Sequence, residues 1–206
     1  MDFLGLDRLL LIAPGFIVGI VLHEVAHGYV ADRLGDPTAR LAGRLTLNPI
    51  PHIDPVGLIF LIVAKVGWAK PVPVNPYNFR GDIKQGLLLV ALAGPATNLL
   101  IALASAVFWA FLGAPPSLLG NILQWTIHIN VVLAFLNLMP VPPLDGSKIL
   151  AGILPGRQSW LYSLEQYGIL LLLVLFLTGA AWDFINFFYR PTISALFRLV
   201  DIIAGT

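Results

Sequence analysis

The 206 residues would suit one or two soluble domains, but 58% are hydrophobic and only 11% are charged, with a mean hydropathy of +0.86. A soluble domain carries about a quarter charged residues to wet its surface, so a water-soluble fold is excluded and the chain reads as an integral protein of a lipid bilayer. A net charge of +1 gives no reason to expect nucleic acid, and the absence of cysteine removes disulfides and thiolate metal sites, leaving His, Asp and Glu as the strong ligands.

Residues 9–31 form the first apolar helix candidate, long enough to cross a bilayer at about 20 residues. Asp32 and Arg33 end it. It has neither a basic leader nor a small-residue cleavage site, so it reads as a retained span. Residues 35–52 are polar and rich in Gly and Pro. Within them, "ARLAGRLTL" alternates polar and apolar, which predicts a short β-hairpin over 38–48. Residues 56–66 are apolar but too short to span; Pro51, Pro55 and Gly57 bracket their start and Lys65 and Lys70 their end. That pattern predicts a re-entrant or interfacial segment.

No Asp, Glu, Lys or Arg occurs from Gln85 to Leu144. Two spans fit there, 86–112 and 121–140, separated by the turn "GAPPSLLGN". Residues 163–182 make a fourth span. The tail, 183–206, mixes Phe187, Phe188 and Tyr189 with Arg190, Arg198 and Asp201. It reads as an interfacial amphipathic segment that Pro191 divides. The expected fold is therefore all-α and polytopic: four transmembrane helices, a re-entrant or interfacial segment, a short β-hairpin and an amphipathic C-terminal tail, in a single domain over 1–206.

Seven of the twelve Lys and Arg residues lie in 32–84 and two more, Lys148 and Arg157, follow the third span. The positive-inside rule puts those segments on the cytoplasmic side.

The first span carries "HEVAH". His23 and His27 are four apart, so on a helix both imidazoles share one face and can grip one tetrahedral metal. Glu24 projects at a neighbouring angle and can take a proton from a metal-activated water. Two core histidines in polar contacts are the alternative, but ionisable groups inside a span are rare and usually functional. A catalytic zinc wants a third protein ligand. Glu24 and Glu165 are the only glutamates, and no third histidine follows at the extended-motif spacing. The candidates are His52, Asp54, His128, Asp145 and Glu165. Asp145 stands out by its setting, "NLMPVPPLDG". Pro140, Pro142 and Pro143 cannot continue a regular helix, and unwound backbone at membrane depth survives only where protein buries it or it lines a wet cavity.

"HEVAH" in a first span, "AGPATN" (93–98) in a second and "NLMPVPPLDG" (137–146) after a third resemble the site-2 protease family of intramembrane zinc metalloproteases, and the match runs nearly the whole chain in order. The resemblance implies one Zn2+ per chain, with His23, His27 and Asp145 as ligands and Glu24 as general base. It implies a substrate that is a transmembrane helix of another protein, in a prokaryotic plasma membrane, cut from the cytoplasmic side. Asn98 and Asn137 fall in matching motifs. Either holds the substrate backbone or a developing oxyanion, or bonds helix to helix. "NPIPHIDPVG" (48–57) resembles a stretch of short bacterial members, so His52 and Asp54 are candidates for a gate, with a turn of solvated polar groups as the alternative. His128, mid-span, is expected to bond a neighbouring helix. Two departures stand: the family's Asn-Pro pair reads Asn137-Leu138 here, and the expected form is minimal, with no PDZ-like insert or C-terminal regulatory domain. A membrane transporter of metal ions or protons using the same His/Asp site is the alternative function. It lacks the paired repeats common in such proteins.

Overall fold

The computed structural model describes residues 6–55, 57, 69–156 and 164–205. Seven α-helices are labelled here: α1 (Leu6–Arg33), α2 (Thr38–Leu41), α3 (Ile83–Phe111), α4 (Leu118–Asn137), α5 (Asp145–Ile153), α6 (Gly168–Thr178) and α7 (Ala180–Ala204), with 3-10 turns at Ile50–His52 and Pro76–Asn78. The starts of α3 and α4 follow from side-chain capping. Asp82 accepts from the Gln85 amide and Ser117 from the Gly120 amide, each satisfying a donor that the first turn leaves open.

Helices α1, α3 and α4 are long and apolar enough to cross a membrane, and the α6–α7 pair passes the same test as one unit bent by 75°. The three long helices pack mutually, α5 lies on α3, and α7 lies on α3 and α4. Small residues set the spacing. Ala102, Ala106 and Ala110 of α3 pack with Ile127 and Val131 of α4 and Val200 of α7. Lipid is as apolar as these side chains, so close backbone approach and buried polar bonds hold such a bundle together.

Three expectations are changed or left open. The β-hairpin over 38–48 does not form, and no strand occurs among the described residues. Thr38–Leu41 is a helical turn with Ala39 buried beneath it. The turn chemistry of Asp36-Pro37-Thr38 outweighs the short alternation, because Asp36 Oδ1 accepts from the Thr38 amide at 3.1 Å and starts a turn. The C-terminal break falls at Gly179, in the left-handed region at φ 85°, and not at residue 183. Pro191 sits inside a continuous α7, which buries Ala181 and Ile185 before it and Val200 after it, so the proline does not divide the tail into two helices. The segment predicted over 56–66 lies, apart from Gly57, outside the described residues.

The loop after α1 is tied to the 75–78 turn by one buried carboxylate. Asp36 accepts from the Asn75 amide at 2.7 Å, from Asn78 Nδ2 at 2.8 Å and from the Thr38 hydroxyl. Burial alone would raise its pKa, but the bonds from Thr38, Asn78 and Asn75 outweigh that and hold it below the usual carboxylate range. A folded-state pKa below the unfolded one gives stability that is complete above about pH 4 and fades as pH falls through the folded value. Asp36→Ala is therefore expected to lower the melting temperature by several degrees at pH 7. The gap from wild type should narrow at pH 3, read by thermal scans of the detergent-purified protein.

Candidate metal centre

In α1, His23 and His27 point the same way because they are one turn apart. Their Nε2 atoms lie 3.0 Å from each other. Asp145, the first residue of α5, brings Oδ2 to 3.1 Å from both. All three residues are buried, and they form a group that could hold a metal ion.

Hydrogen bonds behind the ligands decide the tautomers. Asn130 Nδ2 donates to the carbonyls of Gly15 at 3.1 Å and Thr126 at 2.9 Å. Carbonyls only accept, so Asn130 must turn Oδ1 toward Asn98, whose Nδ2 donates to it at 2.9 Å and also lies 3.2 Å from the Gly19 carbonyl. Asn98 Oδ1 then accepts from His23 Nδ1–H at 2.7 Å. His27 Nδ1–H donates to the Val90 carbonyl at 2.6 Å. Each imidazole thus spends its Nδ1 proton on the bundle and presents Nε2 as a lone pair.

Two such lone pairs and a carboxylate oxygen converge within about one ligand–ligand spacing of a tetrahedral ion. Asp145 Oδ2 is buried without a hydrogen-bond donor. Without a cation these three acceptors repel, and a buried acceptor left unpaired is costly. The donor set, two imidazoles and one carboxylate, suits zinc with a fourth position open.

The backbone makes room for this. A Cβ on Gly94 of α3 would lie 2.5 Å from His23 Cε1 and from His27 Nε2, so the glycine of "AGP" lets α3 pass directly against the imidazoles. Pro95 stays within an unbroken α3. After α4, short turns such as Val141 N–H to Met139 O at 2.8 Å and Leu144 N–H to Val141 O at 3.0 Å fold the proline-rich run back on itself. A Cβ on Gly146 would strike the carbonyls of Leu138 and Met139. The Leu-Asp-Gly glycine therefore permits the tight return that delivers Asp145.

Glu24 stands beside this group, with Oε2 accepting from the Val72 amide at 2.8 Å. Lys148 Nζ, on the solvent side, is 3.9 Å from Asp145 Oδ1.

The other sequence candidates fall elsewhere. Asn98 is fully buried and has both sides of its amide engaged, so it orients His23 and has no donor left for a substrate. Asn137, half-buried, donates to the Leu133 carbonyl of its own helix at 3.0 Å. His52 is buried and pairs through Nε2 with the Thr46 carbonyl at 3.0 Å. Asp54 accepts from the Gly57 amide at 3.0 Å. His128 meets the Tyr189 hydroxyl of α7 at 2.9 Å and stacks on Phe197, a helix-to-helix contact as expected. Neither these residues nor Glu165 joins a metal-ligating group among the described residues. Two participants were missed from the sequence, the Val72 amide and Asn130. The second had a signal: Thr126 and Asn130 are a polar i, i+4 pair, so they share one face of a helix that holds no charged residue.

A bundle of apolar helices holding two imidazoles and a carboxylate around one point, with a glutamate beside them, fits an integral-membrane metallohydrolase. Residues 114–179 match the description Peptidase family M50. The chain is 43% identical over 183 residues to the Bacillus subtilis protein named "Putative zinc metalloprotease YwhC", covering 82% of this chain and 83% of that one. It is 33% identical to "Putative zinc metalloprotease Rip2" of Mycolicibacterium smegmatis, covering 83% and 68%. It is 45% identical over 137 residues to "Putative zinc metalloprotease MJ0611" of Methanocaldococcus jannaschii, covering 64% of each. No solved structure matches. The chain belongs to Peptidase family M50, the site-2 protease family, and is a zinc metalloprotease. That membership decides against the transporter reading.

Elemental analysis of detergent-purified protein tests the site. Wild type is expected to carry near-stoichiometric zinc. Asp145→Ala should lose most of it, and so should Gly94→Ala, whose added methyl enters the space of both imidazoles. Zinc retained in Asp145→Ala would move the third ligand elsewhere.

Proposed function

We propose that this protein cleaves peptide bonds in or beside transmembrane helices of other membrane proteins, as in regulated intramembrane proteolysis. One Zn2+ is held by His23, His27 and Asp145, and Glu24 is the general base. The observation that carries this reading is the depth of the group. Arg33 ends α1, and His23 lies about 15 Å along the axis from it at 1.5 Å per residue. A site at that depth in a spanning helix is suited to substrates that are themselves in the membrane.

Bound zinc supplies Lewis-acid polarisation of the scissile carbonyl and lowers the pKa of a water to about 7. The protein's own groups do the rest. His23 and His27 offer Nε2 because Asn98 and Val90 hold their Nδ1 protons. Glu24 takes a proton from the attacking water and returns it to the leaving amine. Its Oε2 is occupied by the Val72 amide, which leaves Oε1 to work. Asn137, with Nδ2 turned to its own helix, keeps Oδ1 for a substrate N–H.

The substrate's helical carbonyls are tied up in their own i→i−4 bonds, so the target must unwind locally before attack. The active site faces the cytoplasmic side of a prokaryotic plasma membrane. In support of that orientation, the two basic segments meet: Lys84 Nζ donates to the Leu154 carbonyl, and Asp145 reaches the α1 histidines.

Glu24→Gln should keep its zinc and lose roughly 10²–10⁴-fold in cleavage, the usual worth of a general acid–base group. Mass spectrometry of the products of a synthetic transmembrane peptide checks this, and wild-type cleavage by Glu24→Gln would remove Glu24 from the role. A peptide with Gly-Pro inside its apolar stretch should be cut faster than a Leu-rich one. Equal rates would argue against local unwinding as a requirement.

A further inference from the structure

The segment Lys70–Asn75 runs across Glu24, and its N–H groups are almost all accounted for. The Lys70 amide donates to the His52 carbonyl at 2.9 Å, beside an isolated antiparallel bridge between Ile53 and Ala69. Pro71 and Pro73 have no N–H. The Val72 amide goes to Glu24 Oε2, and the Asn75 amide to Asp36 Oδ2. Val72 is thus the one donor in the Pro71–Pro73 run, and it is spent on the proposed base.

The other edge of the same run is gripped by Arg44. Its Nη2 donates to the Lys70 carbonyl at 2.7 Å and its Nη1 lies 3.3 Å from the Pro71 carbonyl. Arg44 is 8% exposed, and no carboxylate pairs with it among the described residues. A buried guanidinium without a counter-charge is expensive. Its planar fork spans two successive carbonyls, which a lysine ammonium cannot match. The Pro71 carbonyl it holds belongs to the same peptide unit as the Val72 N–H. The guanidinium and the Glu24 carboxylate therefore grip opposite ends of one peptide dipole.

We infer that Arg44 and the Pro71-Val72 peptide form an aiming device for Glu24: the guanidinium fixes the peptide, and the peptide's N–H fixes Oε2, so that Oε1 faces the metal group. This rests on the reading of Glu24 as general base. Arg44 and Val72 are positioning groups, since neither touches the ligands. A carboxylate on a free side chain would have to find its rotamer in every turnover, whereas a held one needs no reorganisation.

The test uses zinc-loaded protein in detergent and a synthetic transmembrane peptide with Gly-Pro in its apolar stretch. Val72→Ala trims the side chain and keeps the N–H. Val72→Pro deletes the N–H in a run already flanked by prolines. The kcat of Val72→Pro is expected to fall about 10–100-fold below that of Val72→Ala, the scale of lost outer-shell hydrogen bonds, with KM and zinc content the same in both. Arg44→Lys should shift kcat below wild type in the same manner, and it carries the test alone should Val72→Pro not fold. Equal kcat in the Pro and Ala variants overturns the proposal. A higher kcat in Val72→Pro overturns it too, and makes the segment an obstruction. Glu24→Gln run in parallel separates the two readings. If it still cleaves, the base assignment fails. If it is dead while Val72→Pro equals Val72→Ala, only the aiming device fails.

Discussion

Three hydrogen-bond acceptors that repel one another are held together inside an apolar bundle, and the rest of the structure serves that constraint. His23 Nε2, His27 Nε2 and Asp145 Oδ2 sit 3.0–3.1 Å apart. Both imidazoles stay there because a hydrogen bond at Nδ1 restrains each from behind. The amide chain from Asn130 to Asn98 is oriented at its far end by the carbonyls of Gly15 and Thr126. Its direction passes, bond by bond, to the His23 ring. Cation binding turns the mutual repulsion of the three atoms into attraction, so the bundle is built as a socket whose most favourable state is metal-loaded.

The glycines follow from the same constraint. A Cβ at Gly19 would lie 2.5 Å from Asn130 Oδ1, and one at Gly15 would lie 2.5 Å from Thr126 Oγ1. Gly94 does for the imidazoles what Gly19 does for the amides. Close approach of α1, α3 and α4 is thus required by the polar network as well as by packing. Helices spaced by larger side chains would leave Asn98 too far from either partner.

Prolines do comparable work where the chain leaves helical geometry. Irregular backbone at this depth must have its polar groups satisfied by protein. The 70–75 segment meets that demand partly by having fewer donors, with Pro71 and Pro73, and partly by directing the Lys70, Val72 and Asn75 amides to His52, Glu24 and Asp36. The 138–144 run uses Pro140, Pro142 and Pro143 with short turns. Each segment brings a polar group to the α1 residues, the Val72 amide to Glu24 in one and Asp145 to both histidines after the other. Irregular structure here is a means of bringing polar groups to the α1 histidines from outside the helices.

Much of this could be read from residue order. Hydropathy marked the three long helices to within a few residues, because a bilayer demands about 20 apolar residues whatever their identity. His23, Glu24 and His27 declared themselves through helical spacing, and Asp145 through its proline-rich setting and the resemblance to site-2 proteases. The hairpin expectation failed because a few alternating residues weigh less than one Asp-Pro-Thr turn. The break at Gly179 was missed because a glycine's φ is free until neighbours choose it. Sequence alone thus determined the membrane class, the candidate ligands and the chemistry they permit, since these depend on residue type and local period. Only the tertiary structure decided that Asn98 bonds His23, that Asn130 stands behind it, that the Val72 amide meets Glu24, and that Arg44 holds the carbonyls beside that amide. Those roles are hydrogen bonds between residues 26 to 115 positions apart, and no local pattern encodes which distant carbonyl or amide a buried polar group will meet.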